Sequence, residues 1–282
     1  MDWLERMNSV MEYIEANLDE DISYEKIAQL ACCSTYHFQR MFPFITGITL
    51  SEYIRRRRLT LAAFELQTTK AKVIDVAVKY GYDSPEAFAR AFKNLHGVMP
   101  VSARDTGVSL KAYPRMSFHI SIKGDVEMEY RIEPRGSFEL FGVYGVMSQS
   151  MEAAFREVPQ FRKQCDDDGS VDVLNGTLGR FSDTNLHAAL FDHTKESFKY
   201  MVGYHLPKGL EIPERFTTLS IPASTWAIFP EPQCDLQKLW RRIYAEWFPT
   251  SDYEQVEGPC LEMYYGMVVN TTGEIWIPVR KK

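Results

Sequence analysis

Residues 34–47 read STYHFQRMFPFITG, and residues 84–97, fifty positions later, read SPEAFARAFKNLHG. The two stretches share a serine at the start, two phenylalanines, an arginine and a closing glycine at matching positions. A serine that can cap a helix, apolar residues spaced by four and a final glycine predict a short amphipathic helix in each stretch. One structural unit is therefore predicted to occur twice near the start of the chain.

Each of these helices follows another helical segment, SYEKIAQLAC at residues 23–32 and KVIDVAVKYG at residues 72–81. Two helices joined by a tight turn form a helix-turn-helix, and its second helix fits the major groove of DNA. In the first copy Gln39 can pair with adenine, Arg40 can pair with guanine, and Tyr36 can contact a thymine methyl group or a phosphate. In the second copy Arg90 is the best base reader, and Glu86 can accept a hydrogen bond from cytosine.

The charge of the chain is divided unevenly, and this supports a local DNA-binding region. The net charge is −6, yet residues 34–104 carry eleven lysines and arginines against five acidic residues, a balance of +6. The rest of the chain therefore carries −12, and a basic block inside an acidic protein is typical of a domain that binds a polyanion. Lys93 is placed for a phosphate contact. The arginines at 55–58 span a full helical turn, so only one or two of them are expected to meet phosphates.

Length and composition indicate two folded domains. The chain has 282 residues, of which 45% are hydrophobic, enough for a core in each domain. No signal peptide or long apolar run occurs, so we expect a cytoplasmic protein without a membrane partner. The five cysteines form no C-x-x-C pair, and His187 and His193 have no further ligand at a useful spacing. No metal, cofactor or catalytic residue is therefore predicted.

The first part of the chain resembles the AraC/XylS family of bacterial transcription regulators over about residues 5–107. The resemblance rests on IAQLACCSTYHFQRMFPFITGITLSEYIRRRRL and VIDVAVKYGYDSPEAFARAFKNLHGVMPVSAR. By position it implies groove contacts from Thr35, Tyr36, Gln39, Arg40, Glu86, Ala87 and Arg90. Pro43 departs from the pattern, because it lacks a backbone donor in mid-helix and is expected to kink or shorten the first reading helix.

The pattern changes after Arg104, where DTGVSLKAYPRM supplies glycine and proline without helical periodicity. We predict an all-α domain with two helix-turn-helix units at 1–107, a linker and first strand at 108–124, and an α+β domain at 125–282. In the last segment the order strand, strand, helix, strands occurs twice. The stretch RIEPRGSFELFGV in the first copy corresponds to TLSIPASTWAIFP in the second. This order predicts a duplicated α+β repeat with a ligand groove between its halves.

Strand alternation suggests which side chains line the groove. In CLEMYYGM, Glu262 and Tyr264 share one face of a strand, and in EIWIPV, Trp276 lies opposite its aliphatic neighbours. If the aliphatic faces pack on the helices, Glu262, Tyr264 and Trp276 line the groove together. A carboxylate among aromatic rings suits a cationic ligand. Alternation alone adds four further candidates for the walls: Tyr144, Trp226, Tyr200 and Tyr204.

The second part resembles the GyrI-like effector-binding domain of multidrug-responsive regulators, from about residue 111 to 282. The motifs are RIEPRGSFELFGVYG, LWRRIYAEWFPTSDYE and the closing PCLEMYYG and GEIWIPV. The resemblance implies that Glu262 on the penultimate strand and Trp276 on the final strand meet ligands that are often cationic and aromatic.

Together these features predict a transcription regulator, an activator by the resemblance, that binds promoter DNA and senses an amphipathic small molecule. Its expected partners are double-stranded DNA, the effector and RNA polymerase, and the chain acts as a monomer or weak dimer. One alternative is an enzyme that hydrolyses or detoxifies its ligand with Glu262 as general base. Another is a constitutive DNA binder whose second domain docks to a protein.

Overall fold

The computed structural model describes residues 3–105, 107–118, 127–179, 185–194, 196–265 and 272–282. Its contacts divide the chain into a helical unit, Met1–Thr35 with Leu50–Ile122, and a sheet unit, Tyr36–Thr49 with Lys123–Lys282. The sheet unit thus includes most of the first predicted reading helix. In the segment predicted as a linker and first strand, 108–124, residues 119–124 lie outside the described residues. Among those described, no helix is both long and apolar enough to cross a bilayer.

The first part of the chain is helical, as the repeat predicts. Its helices are α1 (Trp3–Ala16), α2 (Tyr24–Ala31), α3 (Thr35–Thr46), α4 (Leu50–Thr68), α5 (Val73–Lys79) and α6 (Pro85–His96), followed by a 3-10 turn (Pro100–Arg104). The pairs α2 with α3 and α5 with α6 are the two predicted helix-turn-helix units. In the helical unit, Leu59 and Leu66 of α4, Val76 of α5, and Phe88 and Phe92 of α6 belong to one buried core.

The ends of the two repeated helices are built alike. The Ser84 hydroxyl accepts a hydrogen bond from the Ala87 amide at 3.1 Å and so caps α6. Gly97 (φ +82°) and Gly47 (φ +80°) both take the left-handed conformation that closes a helix. The expectation that Pro43 shortens α3 is wrong, because α3 and α6 each contain 12 residues. Pro43 lies four residues before Gly47 and removes a single backbone hydrogen bond near the end of the helix.

The run of four arginines on α4 is largely engaged within the helical unit. Arg57 forms an ion pair with Glu15 at 2.6 Å, and both side chains are about nine-tenths buried. Arg58 donates to the Leu18 carbonyl at 2.8 Å. Arg55 and Arg56 both pair with one carboxylate, that of Glu52. These contacts tie α4 to α1 and to the chain that follows it.

Besides α3, the described residues of the sheet unit form one antiparallel sheet and several helices. Its strands are β1 (Arg131–Arg135), β2 (Phe138–Ser148), β3 (Leu186–Phe191), β4 (Ser197–His205), β5 (Thr217–Ile221), β6 (Ser224–Glu231), β7 (Tyr253–Gln255), β8 (Cys260–Tyr265) and β9 (Thr272–Lys281). The helices are α7 (Met151–Asp167), α8 (Ser170–Leu178) and α9 (Leu236–Arg242), and α9 continues through a wider π turn (Ile243–Trp247). The sequence interpretation missed α8 and β7.

The strand order β1-β6-β9-β8-β3-β4-β2-β5 confirms the predicted duplication. The first half contributes β1 to β4 and the second β5 to β9, and the halves meet where β3 pairs with β8. The first strand of each half pairs with a strand of the other half: β1 pairs with β6, and β5 pairs with β2. Main-chain hydrogen bonds therefore join the two halves at three places.

The register of the last two strands corrects the predicted grouping of side chains. Glu262 lies opposite Ile275, and Trp276 lies opposite Leu261. Residues directly opposite each other in an antiparallel pair point to the same face, so Trp276 and Glu262 lie on different faces of the sheet. The prediction that they share a groove is wrong, because alternation along single strands does not set the register between them.

The face that carries Glu262 is the one that the helices cover. The Nε1 of Trp240, on α9, donates to Glu262 at 2.7 Å. The ring of Phe161, on α7, meets the edge of Tyr200 on this face at 6.4 Å. The opposite face holds a separate buried cluster that includes Trp226 and Trp276.

Candidate DNA interface and effector cavity

The polar side of α6 faces solvent. Glu86, Ala87, Arg90 and Lys93 are all exposed, and the apolar side of α6 is buried in the core of the helical unit. Arg90 forms no ion pair with any residue that the structure describes. Its guanidinium is therefore available to a base edge or a phosphate.

The polar side of α3 is arranged differently. Thr35, Tyr36 and Gln39 are partly exposed, but Arg40 is buried, with only 6% of its surface exposed. The apolar side of α3 is buried as well. The expectation of a solvent-facing reading ridge thus holds for α6 and is wrong for Arg40 in this arrangement.

Arg40 is held by side chains of the sheet unit. Its Nη1 donates to Nδ1 of His193 at 3.0 Å. Burial, and then the Arg40 charge, hold the pKa of His193 far below its usual value, so the ring is neutral and its Nδ1 lone pair accepts this bond. The guanidinium carbon also lies 5.8 Å from the ring centre of Phe44. Because His193 and Phe44 hold Arg40, this arrangement leaves it unavailable to a base.

Three further contacts also hold α3 against the rest of the sheet unit. The Phe44 ring stacks on Tyr244, in the π turn, with centres 4.1 Å apart and planes inclined by 13°. The Gln255 amide donates to Nδ1 of His37 at 3.1 Å, and His37 meets the ring of Phe248 at 4.7 Å. His37, Arg40 and Phe44 are spaced by three and four residues and so lie along one side of the helix.

A cavity lies beneath this side of α3, within the sheet unit. Its lining residues are Arg40, Pro43 and Phe44 of α3, Gln149, Met151, Ala154, Phe155 and Val158 at α7, Leu190, Phe198, Tyr200 and Glu262 of the sheet, and Gln237 and Trp240 of α9. Most of these side chains are apolar, and two opposite charges, Arg40 and Glu262, face the same space. The cavity therefore combines an aromatic lining with a carboxylate, as expected of a small-molecule site.

Glu262 is buried and well supplied with donors. Its Oε2 accepts from the hydroxyls of Tyr200 at 2.8 Å and Tyr264 at 2.6 Å, and its Oε1 accepts from Trp240. A carboxylate offers about four acceptor positions, so one of them, on Oε1, is left for a ligand. These neutral donors stabilise the buried charge without cancelling it.

Arg162 of α7 lies close to this group. Its guanidinium carbon is 4.1 Å from the ring centre of Tyr264. Burial lowers the pKa of Arg162, but Tyr200, Tyr264 and Glu262 together outweigh burial and raise it, so the guanidinium stays charged. Tyr264 thus contacts Arg162 through its ring and the carboxylate through its hydroxyl.

The structure places the predicted ligand residues at four locations. Glu262 and Tyr200 line the cavity, and Tyr264 bonds to Glu262 behind it. Trp226 and Trp276 lie on the opposite face of the sheet. Tyr144 is exposed and touches the edge of Phe191. Tyr204 packs near α8 and donates to Asn175 at 2.6 Å.

Other cavity residues escaped the sequence interpretation. Phe155 and Trp240 lie on helices whose apolar sides resemble any core-facing side, and Phe44 lies on a helix assigned to DNA reading. The segment LWRRIY carries Trp240 and Tyr244 four residues apart, which places both rings on one side of a helix. This spacing was the feature of the sequence that could have predicted an aromatic surface on this helix.

The described residues contain no group of three or more histidine, cysteine, aspartate or glutamate side chains that could hold a metal ion. All five cysteines are free thiols.

Comparison with known proteins agrees with this two-part organisation. Residues 27–106 match a helix-turn-helix domain family, and residues 131–279 match the family of integron-associated effector binding proteins. The transcriptional activator AarP of Providencia stuartii is 46% identical over 103 residues, covering 36% of this chain and 76% of AarP. The multiple antibiotic resistance protein MarA of Escherichia coli K12 is 35% identical over 102 residues, covering 36% of this chain and 80% of MarA. The solved structure of SAV2435 bound to tetraphenylphosphonium covers 54% of this chain and 94% of its own, with 16% identity and a TM-score of 0.45.

The chain is therefore a DNA-binding transcription regulator that carries an effector-binding domain. It belongs to the AraC/XylS family of helix-turn-helix regulators, and its second half belongs to the integron-associated effector binding protein family.

Proposed function

We propose that this chain is a transcription activator that responds to an amphipathic, cationic aromatic molecule bound in the cavity above Glu262. The observation that carries the proposal is a buried carboxylate with one acceptor position left, in a cavity lined by the rings of Phe155, Phe198 and Trp240. A delocalised cation would gain charge pairing and ring contacts there without the loss of strongly held water. Activation is supported by AarP, which is named a transcriptional activator.

On the DNA side, we propose groove contacts from α6 through Glu86, Ala87 and Arg90, a phosphate contact from Lys93, and groove contacts from α3 through Thr35, Tyr36, Gln39 and Arg40. The exposure of the α6 residues and the local positive charge support these contacts. Tyr200 and Tyr264 are proposed to position Glu262. A single chain carries both reading helices, so we propose that it binds asymmetric promoter sites as a monomer in the cytoplasm and recruits RNA polymerase.

We infer that Glu262 binds ligand and does not act as a general base, because three donors already hold its two oxygens. Incubation of candidate compounds with the protein, followed by mass spectrometry, tests this inference. Intact compounds are expected. Formation of a product that is lost in Glu262→Gln would show an enzyme instead.

The ligand proposal is tested with two probes that share three phenyl rings and differ in charge. Methyltriphenylphosphonium is a cation and triphenylphosphine oxide is neutral. Calorimetry on the full chain is expected to show tighter binding of the cation, and Glu262→Gln should reduce that preference by about tenfold or more, because it removes the negative charge that attracts the cation.

Glu274→Gln is a matched control. Glu274 also accepts a hydrogen bond from a tryptophan, Trp276 at 2.8 Å, and one from Tyr265 at 3.0 Å. It lies opposite Met263 and so faces away from the cavity. Equal affinity for the two probes in the unaltered protein, or equal effects of the two substitutions, would contradict the proposal.

A further inference from the structure

Helix α3 forms one wall of the effector cavity with residues that the proposed function also uses for DNA. Arg40, Pro43 and Phe44 line the cavity together with Glu262 and Trp240. Arg40 brings a positive charge and Phe44 an aromatic ring into the space proposed for a cationic aromatic ligand. The helix thus presents to the cavity the two kinds of group that such a ligand would carry.

The space left beside α3 is small. The cavity has a volume of about 70 Å³ and lies within a hollow of about 600 Å³ that is partly open to solvent. For comparison, an apolar cavity of about 150 Å³ binds a single benzene molecule. A ligand with several rings therefore requires one wall to move.

The walls differ in how firmly they are held. The floor of the cavity belongs to the sheet, where β3 and β8 pair through main-chain hydrogen bonds. On the side of the helices, Trp240 is fixed by its bond to Glu262. By contrast, α3 is held to the rest of the sheet unit by side-chain contacts, which include the Arg40–His193 bond, the contacts of His37 with Gln255 and Phe248, and the stacking of Phe44 on Trp240, at 5.7 Å, and on Tyr244. Helix α3 is the wall that can leave without breaking the sheet.

We propose that α3 occupies the effector site as an internal ligand, and that a bound effector displaces it and so releases Arg40 for DNA. Arg40 donates to His193 while it is buried, with 6% of its surface exposed, so a guanine edge can reach it only after α3 has left this position. Effector and DNA therefore favour the same undocked state of α3, and their binding is positively coupled. This inference rests on the proposed function, because it requires α3 to read DNA and the cavity to bind a ligand.

The docking contact is tested first without any ligand, on the full-length chain. His193→Asp places a carboxylate beside Arg40 and strengthens docking, whereas His193→Ala removes the acceptor. With a DNA duplex selected from a random-sequence pool by the unaltered chain, His193→Asp is expected to weaken binding and His193→Ala to strengthen it, each by about fivefold or more at fixed salt.

The same substitutions at His205 are the controls, because His205 is exposed and stacks on Phe138 at 5.5 Å, away from the cavity. Tryptophan fluorescence confirms that each variant is folded. Unchanged DNA affinity in both His193 variants, or shifts in the reverse directions, would overturn the proposal.

The coupling is tested by the same titration with saturating methyltriphenylphosphonium. The cation is expected to tighten DNA binding of the unaltered chain by about fivefold or more and to have a smaller effect in His193→Ala, whose α3 is already loosened. Calorimetric titration of the cation into the protein distinguishes ligand binding in the cavity from displacement of α3. Binding of the cation that depends on Glu262 but leaves DNA affinity unchanged would overturn the displacement of α3 and leave the ligand site intact. Absence of cation binding would contradict the proposed ligand class, and the His193 variants would still decide the docking.

Discussion

Arg40 and Arg90 occupy equivalent positions in the two repeated helices, yet their surroundings differ. Arg40 is 6% exposed and bonded to His193, whereas Arg90 faces solvent. The residue type therefore predicts which groups an arginine can bind, and the burial of its side chain decides whether the guanidinium is accessible to them. For Glu262 as well, the chemistry is readable from the sequence, but the three donors that hold it come from β4, β8 and α9.

Substitution of Arg90 tests the base-reading role at a residue without docking contacts. Arg90→Ala is expected to weaken binding to a selected DNA site by about 1–3 kcal/mol and to relax sequence preference at one base pair. Competition titrations at fixed salt with single-base variants of the site measure both effects. Arg156→Ala removes one exposed positive charge from α7 and is the control. An equal, sequence-independent loss in both variants would assign Arg90 to a general charge effect.

Buried histidines make the stability of the sheet unit depend on pH. Burial lowers the pKa of His37 and of His187 to about 4, against an ordinary value near 6.5. The unfolded chain therefore binds more protons below pH 6.5, and the free energy of unfolding falls as the pH falls from 6.5 towards 4. At pH 5 each ring is expected to lower it by about 2 kcal/mol relative to pH 7.5.

Urea unfolding followed by tryptophan fluorescence measures this dependence, because four of the five tryptophans lie in the sheet unit. His187→Asn is expected to reduce the fall, since it removes one titrating ring and keeps a donor for the Asn185 carbonyl. Ser220→Asn, at an exposed position without a titrating group, should leave the fall unchanged. A pH dependence that is the same in all three proteins would show that the His187 ring is not buried in its neutral form.

At the scale of the elements, α3 and α6 show how one helical pattern serves two environments. Both have 12 residues, a serine before the first turn and a left-handed glycine at the end. Local sequence determines these ends, because caps satisfy backbone groups that the helix leaves free. The caps do not constrain the side chains along the length of each helix. In α3, one side of the helix carries His37 and Phe44, which contact the rest of the sheet unit.

The N-cap of α6 gives a prediction at this scale. Ser84→Ala removes the acceptor for the Ala87 amide and is expected to lower the free energy of unfolding of the helical unit by about 1 kcal/mol. Urea unfolding followed by circular dichroism at 222 nm measures the change. Ser109→Ala, at an exposed position outside the helices, is the control. No difference between the two variants would show that the Ser84 cap does not stabilise α6.

For the whole molecule, the proposed displacement of α3 implies a reciprocal effect. If methyltriphenylphosphonium tightens DNA binding by a given factor, saturating DNA must tighten binding of the cation by the same factor. Calorimetric titration of the cation into the protein with and without the selected duplex measures the second factor. A duplex of unrelated sequence is the control, at the same salt concentration. Unequal factors would mean that another equilibrium, such as self-association, contributes.

The sequence by itself determined the helices of the first part, their caps, the basic block and the duplicated α+β pattern, because these follow from residues that are near one another in the chain. It also singled out Glu262. Tertiary structure decided the rest. The register of β8 with β9 placed Trp276 on the face of the sheet opposite Glu262. The pairing of β1 with β6 and of β5 with β2 joined the two halves of the sheet. Packing of α3 buried Arg40 in the lining of the cavity that contains Glu262. Each of these depends on contacts between residues far apart in sequence, and local periodicity carries no information about which surfaces meet.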